Sequence, residues 1–202
     1  MIVAGGVKLP EYAIYKLLNS LFLGASVGMI FTIYSPLEPS IYSAGGIILA
    51  LAMLAIARLY GIIMNMRWFF AISLTVELVV LAGVIYYIFF PYGYTTALMI
   101  YAGYQITFAF GAYLVRAETL VLGDEEALTK VDSAKQVGYL AGMMFSWIFY
   151  RVIESFGVTD PQRQVWMLHF FLILNEVAVI YTLLRAFGKI GKVNGKVHPK
   201  SV

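Results

Sequence analysis

Charged residues fall in clusters along this chain, and long apolar stretches separate the clusters. Lys16 and Glu38 enclose 21 uncharged residues, Glu38 and Arg58 enclose 19, and Glu77 and Arg116 enclose 38, interrupted by Pro91 and Gly93. A helix needs about 20 apolar residues to cross the hydrocarbon of a bilayer. The pattern predicts an all-α, polytopic membrane protein with six transmembrane helices, over 17–34, 41–57, 68–90, 92–115, 136–152 and 165–184. The fifth is the shortest, with 15 uncharged residues between Lys135 and Arg151. Those two side chains can snorkel to the interfaces and lengthen it.

The segments between these spans are short, which makes successive helices antiparallel neighbours. Ser35-Pro36-Leu37-Glu38-Pro39-Ser40 reads as a turn. Residues 117–135 are longer and polar, with Glu118, Asp124, Glu125, Glu126, Lys130, Asp132 and Lys135. They read as a solvated linker, or as a turn at Gly123–Glu126 leading into a short interfacial helix. The division expected is a cytoplasmic N-terminus (1–16), a membrane domain (17–187) built of two three-helix units (17–90 and 92–187), and a basic tail (188–202). Lys8, Pro10 and Glu11 precede the first span without a small-residue cleavage site, so that span reads as retained.

Basic residues orient such a chain. With six spans, 12 of the 14 Lys and Arg fall on one side and only Arg151 and Arg163 on the other. The expectation is an inner-membrane protein with both ends in the cytoplasm. Tyr12, Tyr15, Trp68, Tyr86, Tyr94 and Trp166 fall at the ends of spans, where aromatic rings favour the headgroup zone.

Composition agrees with a bilayer as solvent. The chain is 61% hydrophobic and 12% charged, with a mean hydropathy of +0.84. Soluble domains average about 45–50% apolar and about 25% charged. The absence of cysteine excludes disulfides and thiol chemistry, and a net charge of +3 is too small to suggest nucleic acid. The lysine-rich tail suits anionic headgroups. No phosphate loop, paired-histidine metal site, haem ligand pair or nucleotide fingerprint occurs, so no cofactor or metal is expected. Gly24-Ala-Ser-Val-Gly28 spells a nucleophile-elbow pattern, but Ser26 is mid-helix with no histidine to serve it, and no enzyme is expected.

Polar residues inside the spans carry the candidate chemistry. Glu77 and Glu176 both fall near the bilayer midplane, where an ionised acid costs on the order of 2.5–3.5 kcal/mol. Each reads either as a proton-linked group or as a neutral acid that holds helices together. Tyr101, Gln105 and Arg116 share one helical stripe and could contact an anionic solute; Arg116 reads equally as a marker of the cytosolic edge, pairing with Glu118. Asn19 and Ser26 share a face of the first span. His169 and Glu176 do so on the sixth, with Asn175 adjacent, and His169 reads as structural. Ser20, Gly24 and Gly28 recur every four residues on the first span, and Gly138, Gly142 and Ser146 on the fifth. Small residues at that spacing let helix backbones approach, and these two faces are expected to pack closely, with each other as one option.

An internal repeat is also legible. At an offset of 93, Ser40 meets Ser133, Gly45 meets Gly138 and Arg58 meets Arg151. More loosely, Phe69-Phe70 with Glu77 meets Phe170-Phe171 with Glu176. Units of three spans must be inverted relative to one another, which places a pseudo-twofold axis in the membrane plane. In this arrangement residues 12–188 resemble one half of a major facilitator superfamily transporter. The signature positions depart from that family. Arg58-Leu-Tyr-Gly61-Ile-Ile-Met-Asn-Met-Arg67 lacks the family's Asp, and Ala102 stands where an Arg would precede Gln105. The resemblance therefore implies fold and not residue roles. It implies a half-size secondary transporter that moves a small-molecule solute by alternating access as a homodimer. The competing expectation is a non-transporting scaffold or assembly subunit whose polar residues are interhelical contacts.

Overall fold

Prolines and side-chain caps determine where the helices begin. Pro10, Pro39 and Pro161 each stand in a first helical turn, where a missing N–H leaves no bond unmade. Asn65, Asp124 and Asp160 each accept a hydrogen bond from the backbone N–H three residues on, at 3.1, 3.1 and 2.9 Å. The structure, a computed structural model, describes residues 3–4 and 6–188. Lys189, Lys192, Lys196 and Lys200 of the expected basic tail lie outside the described residues.

A short antiparallel pair, β1 (Val3–Ala4) with β2 (Val7–Lys8), precedes the helices. It turns at Gly6, whose φ of +106° suits glycine. Then follow α1 (Leu9–Tyr34), α2 (Pro39–Arg58), α3 (Tyr60–Ile63), α4 (Met66–Phe89), α5 (Tyr94–Leu122), α6 (Glu125–Ser155) and α7 (Pro161–Ala186). The fold is all-α apart from that pair. Five helices, α1, α2, α4, α5 and α7, are long and apolar enough to cross a membrane. α6 has 31 residues and is not among them; its first turns carry Glu125, Glu126, Lys130, Asp132 and Lys135.

One expectation is corrected: residues 117–135 are not a solvated linker, and of the two readings the turn from Gly123 leading into a helix holds, although that helix is the long α6. α5 continues to Leu122, Gly123 closes it in the left-handed conformation (φ +57°), and Asp124 caps α6 at once. The polar residues that suggested a loop form the last turn of α5 and the first three turns of α6. α1 extends eight residues before the expected crossing at 17–34, from Leu9, and its first turns are buried: Tyr12 and Tyr15 are 1% and 3% exposed. Hydropathy marks where a helix is apolar, not where it ends.

Contacts fix the directions of the six long helices. Gly138 of α6 abuts Leu17 of α1, Gly142 abuts Leu21 and Ala25, and Gly28 lies 3.6 Å from Tyr150 when given a Cβ. Numbers rise together, so α1 and α6 are parallel. On α4, Phe69 meets Tyr12 and Glu77 meets Asn19, again parallel to α1. On α7, Phe187 meets Tyr12 and Asn175 meets Leu18, running the other way. α5 opposes α4 through Gly83–Ile100 and Val79–Gly103, and α2 with the short α3 that continues it runs with α5, Gly45 of α2 meeting Tyr101 and Ile63 of α3 meeting Tyr113. Three helices (α1, α4, α6) point one way and three (α2, α5, α7) the other. α1 is central, packed extensively on α6 and α7. α4 packs on α5 and α7, and α2 leans mainly on α5, touching α1 where Tyr42 donates to Tyr34 O, and leaves most of its surface exposed.

The closest approach is between α1 and α6. A Cβ at Gly24, Gly138 or Gly142 would fall on the partner's backbone carbonyl, at Tyr139, Leu17 and Leu21 respectively. Ser20 and Ser146 are buried on the same two helices, the latter donating to Met143 O at 3.1 Å. Without a hydrophobic drive in lipid, such backbone proximity gains dispersion contact over the whole face.

Candidate functional site

Two large apolar clusters fill the bundle, beside a small one at Leu37, Ala97 and Tyr101. One, at the end where α1 starts, gathers Val7, Tyr12, Phe69, Val131 and Leu183; the other, toward its far end, gathers Phe22, Met29, Val84, Leu168 and Leu172. Polar side chains occupy the level between them. α1 contributes Tyr15 and Asn19, α4 contributes Glu77, and α7 contributes Asn175 and Glu176.

Glu77 is 2% exposed. The Tyr15 hydroxyl donates to its Oε1 at 2.6 Å, and Asn19 Nδ2 reaches its two oxygens at 3.1 and 3.2 Å. Glu176 is 0% exposed, and neither of its oxygens has a donor among the described residues. It lies on α7 where that helix packs against α4, the helix that carries Glu77. Ionised carboxylates only accept, so a bond between these two carboxyls requires a proton on one of them. Asn175 Nδ2 donates to Leu18 O at 3.1 Å, tying α7 to α1 one turn away.

A second network lies one to two turns nearer the start of α1. Glu118 of α5, 3% exposed, accepts from Tyr12 at 2.7 Å, pairs with Lys16 at 2.7 Å and pairs with Lys135 of α6. Lys135 also meets Asp132 at 2.9 Å. Burial pulls the Lys135 ammonium down, but Glu118, joined by Asp132, more than reverses this and holds it above the ordinary lysine value. Lys16 links the two networks: its Nζ lies 5.4 Å from the Tyr12 ring centre and 5.2 Å from that of Tyr15.

Glu77, Glu176 and Asn175 are thus brought together, and the three residues of the proposed stripe on α5 are not part of their cluster. Tyr101 packs edge-on against Tyr34 and Tyr42 and fills the space over Gly45, seating α2. Gln105 is half-buried with its Oε1 unpaired among the described residues. Arg116 is exposed and lies over the Tyr60 ring at 5.9 Å, not on Glu118, whose neighbours are the two lysines. A stripe drawn on one helix ignores which side the neighbours occupy; this one faces α2 and α3. His169 stacks on Tyr87 at 4.1 Å with Nδ1 on Val165 O at 2.8 Å, and Ser26 donates to Phe22 O at 2.7 Å, both interior contacts.

Tyr12, Tyr15 and Lys16 were not singled out as site residues, although the signal was present. With Asn19 they fall at 12, 15, 16 and 19, one polar face of a single helix. Glu118 and Lys135 were hidden by reading 117–135 as linker.

Between α1, α4, α5 and α7, with Val80 one turn along from Glu77, is a cavity of about 30 Å³ lined by Met29, Val80, Val84, Ile100, Tyr104 and His169 among others. That is space for a water or two and not for a metabolite. The chain matches no family model, no curated protein and no solved structure.

Proposed function

We propose that this protein is a half-size secondary transporter, threaded six times through an inner membrane, that moves a small solute by alternating access as a homodimer. One observation carries the reading. If the first three long helices (α1, α2, α4) are exchanged in order with the last three (α5, α6, α7), the set of principal packing pairs maps onto itself. α1–α6 becomes α5–α2, α1–α7 becomes α5–α4, and α4–α7 becomes itself. The glycines paired by the repeat obey the same exchange: Gly45 receives α5 and Gly138 receives α1. Glu77 and Glu176 meet at the self-paired interface. An inverted three-plus-three repeat would give this set of pairs, which supports the likeness to half a major facilitator superfamily transporter. The parallel register of α6 on α1 supports six crossings, since α6 shares the depth of a helix apolar enough to span.

A solute cannot fit the 30 Å³ cavity. Its pathway therefore lies between two copies. The same dry interior favours a second reading, a scaffold whose polar layer only fixes helix packing. The mass of the detergent-solubilised particle, followed by solute uptake into proteoliposomes, separates them. A dimer that moves solute supports transport. A monomer, or a particle held by a fixed foreign subunit with no uptake, supports the scaffold.

A further inference from the structure

We infer that Glu77 and Glu176 hold one shared, exchangeable proton, and that it reaches solvent from the end where α1, α4 and α6 begin, by way of Tyr15, Lys16, Glu118 and Lys135. The inference deepens the transport reading, on which its physiological use rests, by naming the coupling ion and the side from which it enters.

Geometry argues for the shared proton. Glu176 has no donor among the described residues except what the Glu77 carboxyl can offer, and Glu77 already takes its neutral donors from Tyr15 and Asn19. Charge argues for the same count. The buried groups facing one another are Lys16 on α1, Lys135 on α6, Glu118 on α5, and the pair on α4 and α7; Tyr12, Tyr15, Tyr104 and His169 complete the titratable set around them. Glu118 and Asp132 already face the two ammonium groups, so two further negative charges on the buried pair would have no cation left to offset them, and a proton is retained there.

The route is asymmetric. Asp132 is solvent-exposed, and from it Lys135, Glu118 and Lys16 follow in direct contact. The flexible Lys16 stem then spans the gap to Tyr15, which already touches Glu77. Transfer breaks an N–H bond of the Lys16 ammonium and forms an O–H bond on Tyr15 as Tyr15 passes its own proton to the pair. The Lys16 amine is refilled through Glu118 and Lys135 from solvent. Toward the far end of α1 the nearby cavity is lined by Met29, Val80, Val84 and Ile100 together with Tyr104, Thr107 and His169; none of its lining residues is Asp, Glu, Lys or Arg, and His169 is 1% exposed with Nδ1 held by Val165 O.

Infrared spectroscopy of the purified full chain in detergent tests this without any transport assay. The wild type should show a protonated-carboxyl C=O band that shifts in D2O and disappears in Glu176→Gln, with Glu176→Leu as the second variant. Glu118→Gln and Lys135→Gln should keep the band but slow its deuteration about tenfold or more. If Glu118→Gln fails to fold, Lys135→Gln alone decides the route. A wild type without the band, or a band that survives both Glu176 variants, overturns the shared proton. Deuteration at the wild-type rate in the folded relay variants overturns the route. A band in a protein that moves no solute leaves the proton site standing and removes the transporter; uptake without the band does the reverse.

Discussion

The Tyr15 hydroxyl donates a 2.6 Å hydrogen bond to the Glu77 carboxyl, joining α1 to α4 at the level where the two apolar clusters meet. Interhelical hydrogen bonds in bilayers contribute about 0.6 kcal/mol on average and up to about 1.7. Tyr15→Phe and Asn19→Leu should each destabilise the bundle by an amount in that range, read from unfolding in mixed detergent. No loss in either variant would mean that α1 does not hold Glu77.

Glu118 stands between two ammonium groups and is buried. Removing one member of a buried ion pair typically costs about 3–5 kcal/mol, so Glu118→Gln should be among the most damaging conservative changes in the protein. Lys135→Gln should cost well under that, because Lys135 is 26% exposed and solvent screens its pair. Equal losses in the two variants would contradict the burial of this network.

The same pair fixes a pH signature. Lys135 is held above its ordinary value of 10.5 by Glu118 and Asp132, against the pull of burial. A raised value means that its contribution to stability is complete below 10.5 and lost as pH rises through the folded-state value. Wild type and Lys135→Gln should therefore differ in melting temperature at neutral pH and converge in that alkaline window. A gap that persists there would show that Lys135 contributes through packing instead.

Gly142 and Gly138 leave no room for a side chain. A Cβ on Gly142 would lie 2.8 Å from Ala25 N, and one on Gly138 2.9 Å from the Leu17 carbonyl carbon. Gly142→Ala and Gly138→Ala should cost about 1–3 kcal/mol through overpacking. Gly46→Ala, where no atom lies within 4 Å, should be neutral or slightly stabilising. Thermal unfolding of the three variants reads the contrast, and similar values throughout would separate α1 from α6.

Threading is open to a direct assay. Labels placed at the Gly123–Asp124 turn and in the connection at 156–160 should be reached from opposite faces of the membrane, because α6 lies between them. Labels reached from one face only would take α6 out of the bilayer and leave five crossings.

Much of this was legible in the sequence because lipid makes the hydrophobic pattern nearly decisive. A span needs about 20 apolar residues in succession, so the charge-free runs 17–37, 39–57 and 78–115 locate the apolar bodies of α1, α2 and α5 and the second half of α4 without reference to neighbours. The glycines of α1 and α6 were likewise visible as close-approach faces. The ends of helices were not: the polar residues of 125–135 satisfy their backbones in α6 as readily as they would in a loop, and only Asp124 and Gly123, placed in space, set the boundary. Nor could the pattern say which faces meet. Tyr101, Gln105 and Arg116 form a stripe on α5, yet the other helices bring Glu77 to Tyr15 and Glu176, while Glu118 goes to Lys16 and Lys135. Local hydropathy determines that a segment crosses; the pairing of its polar groups depends on long-range packing, where each buried donor or charge must find its partner on another helix.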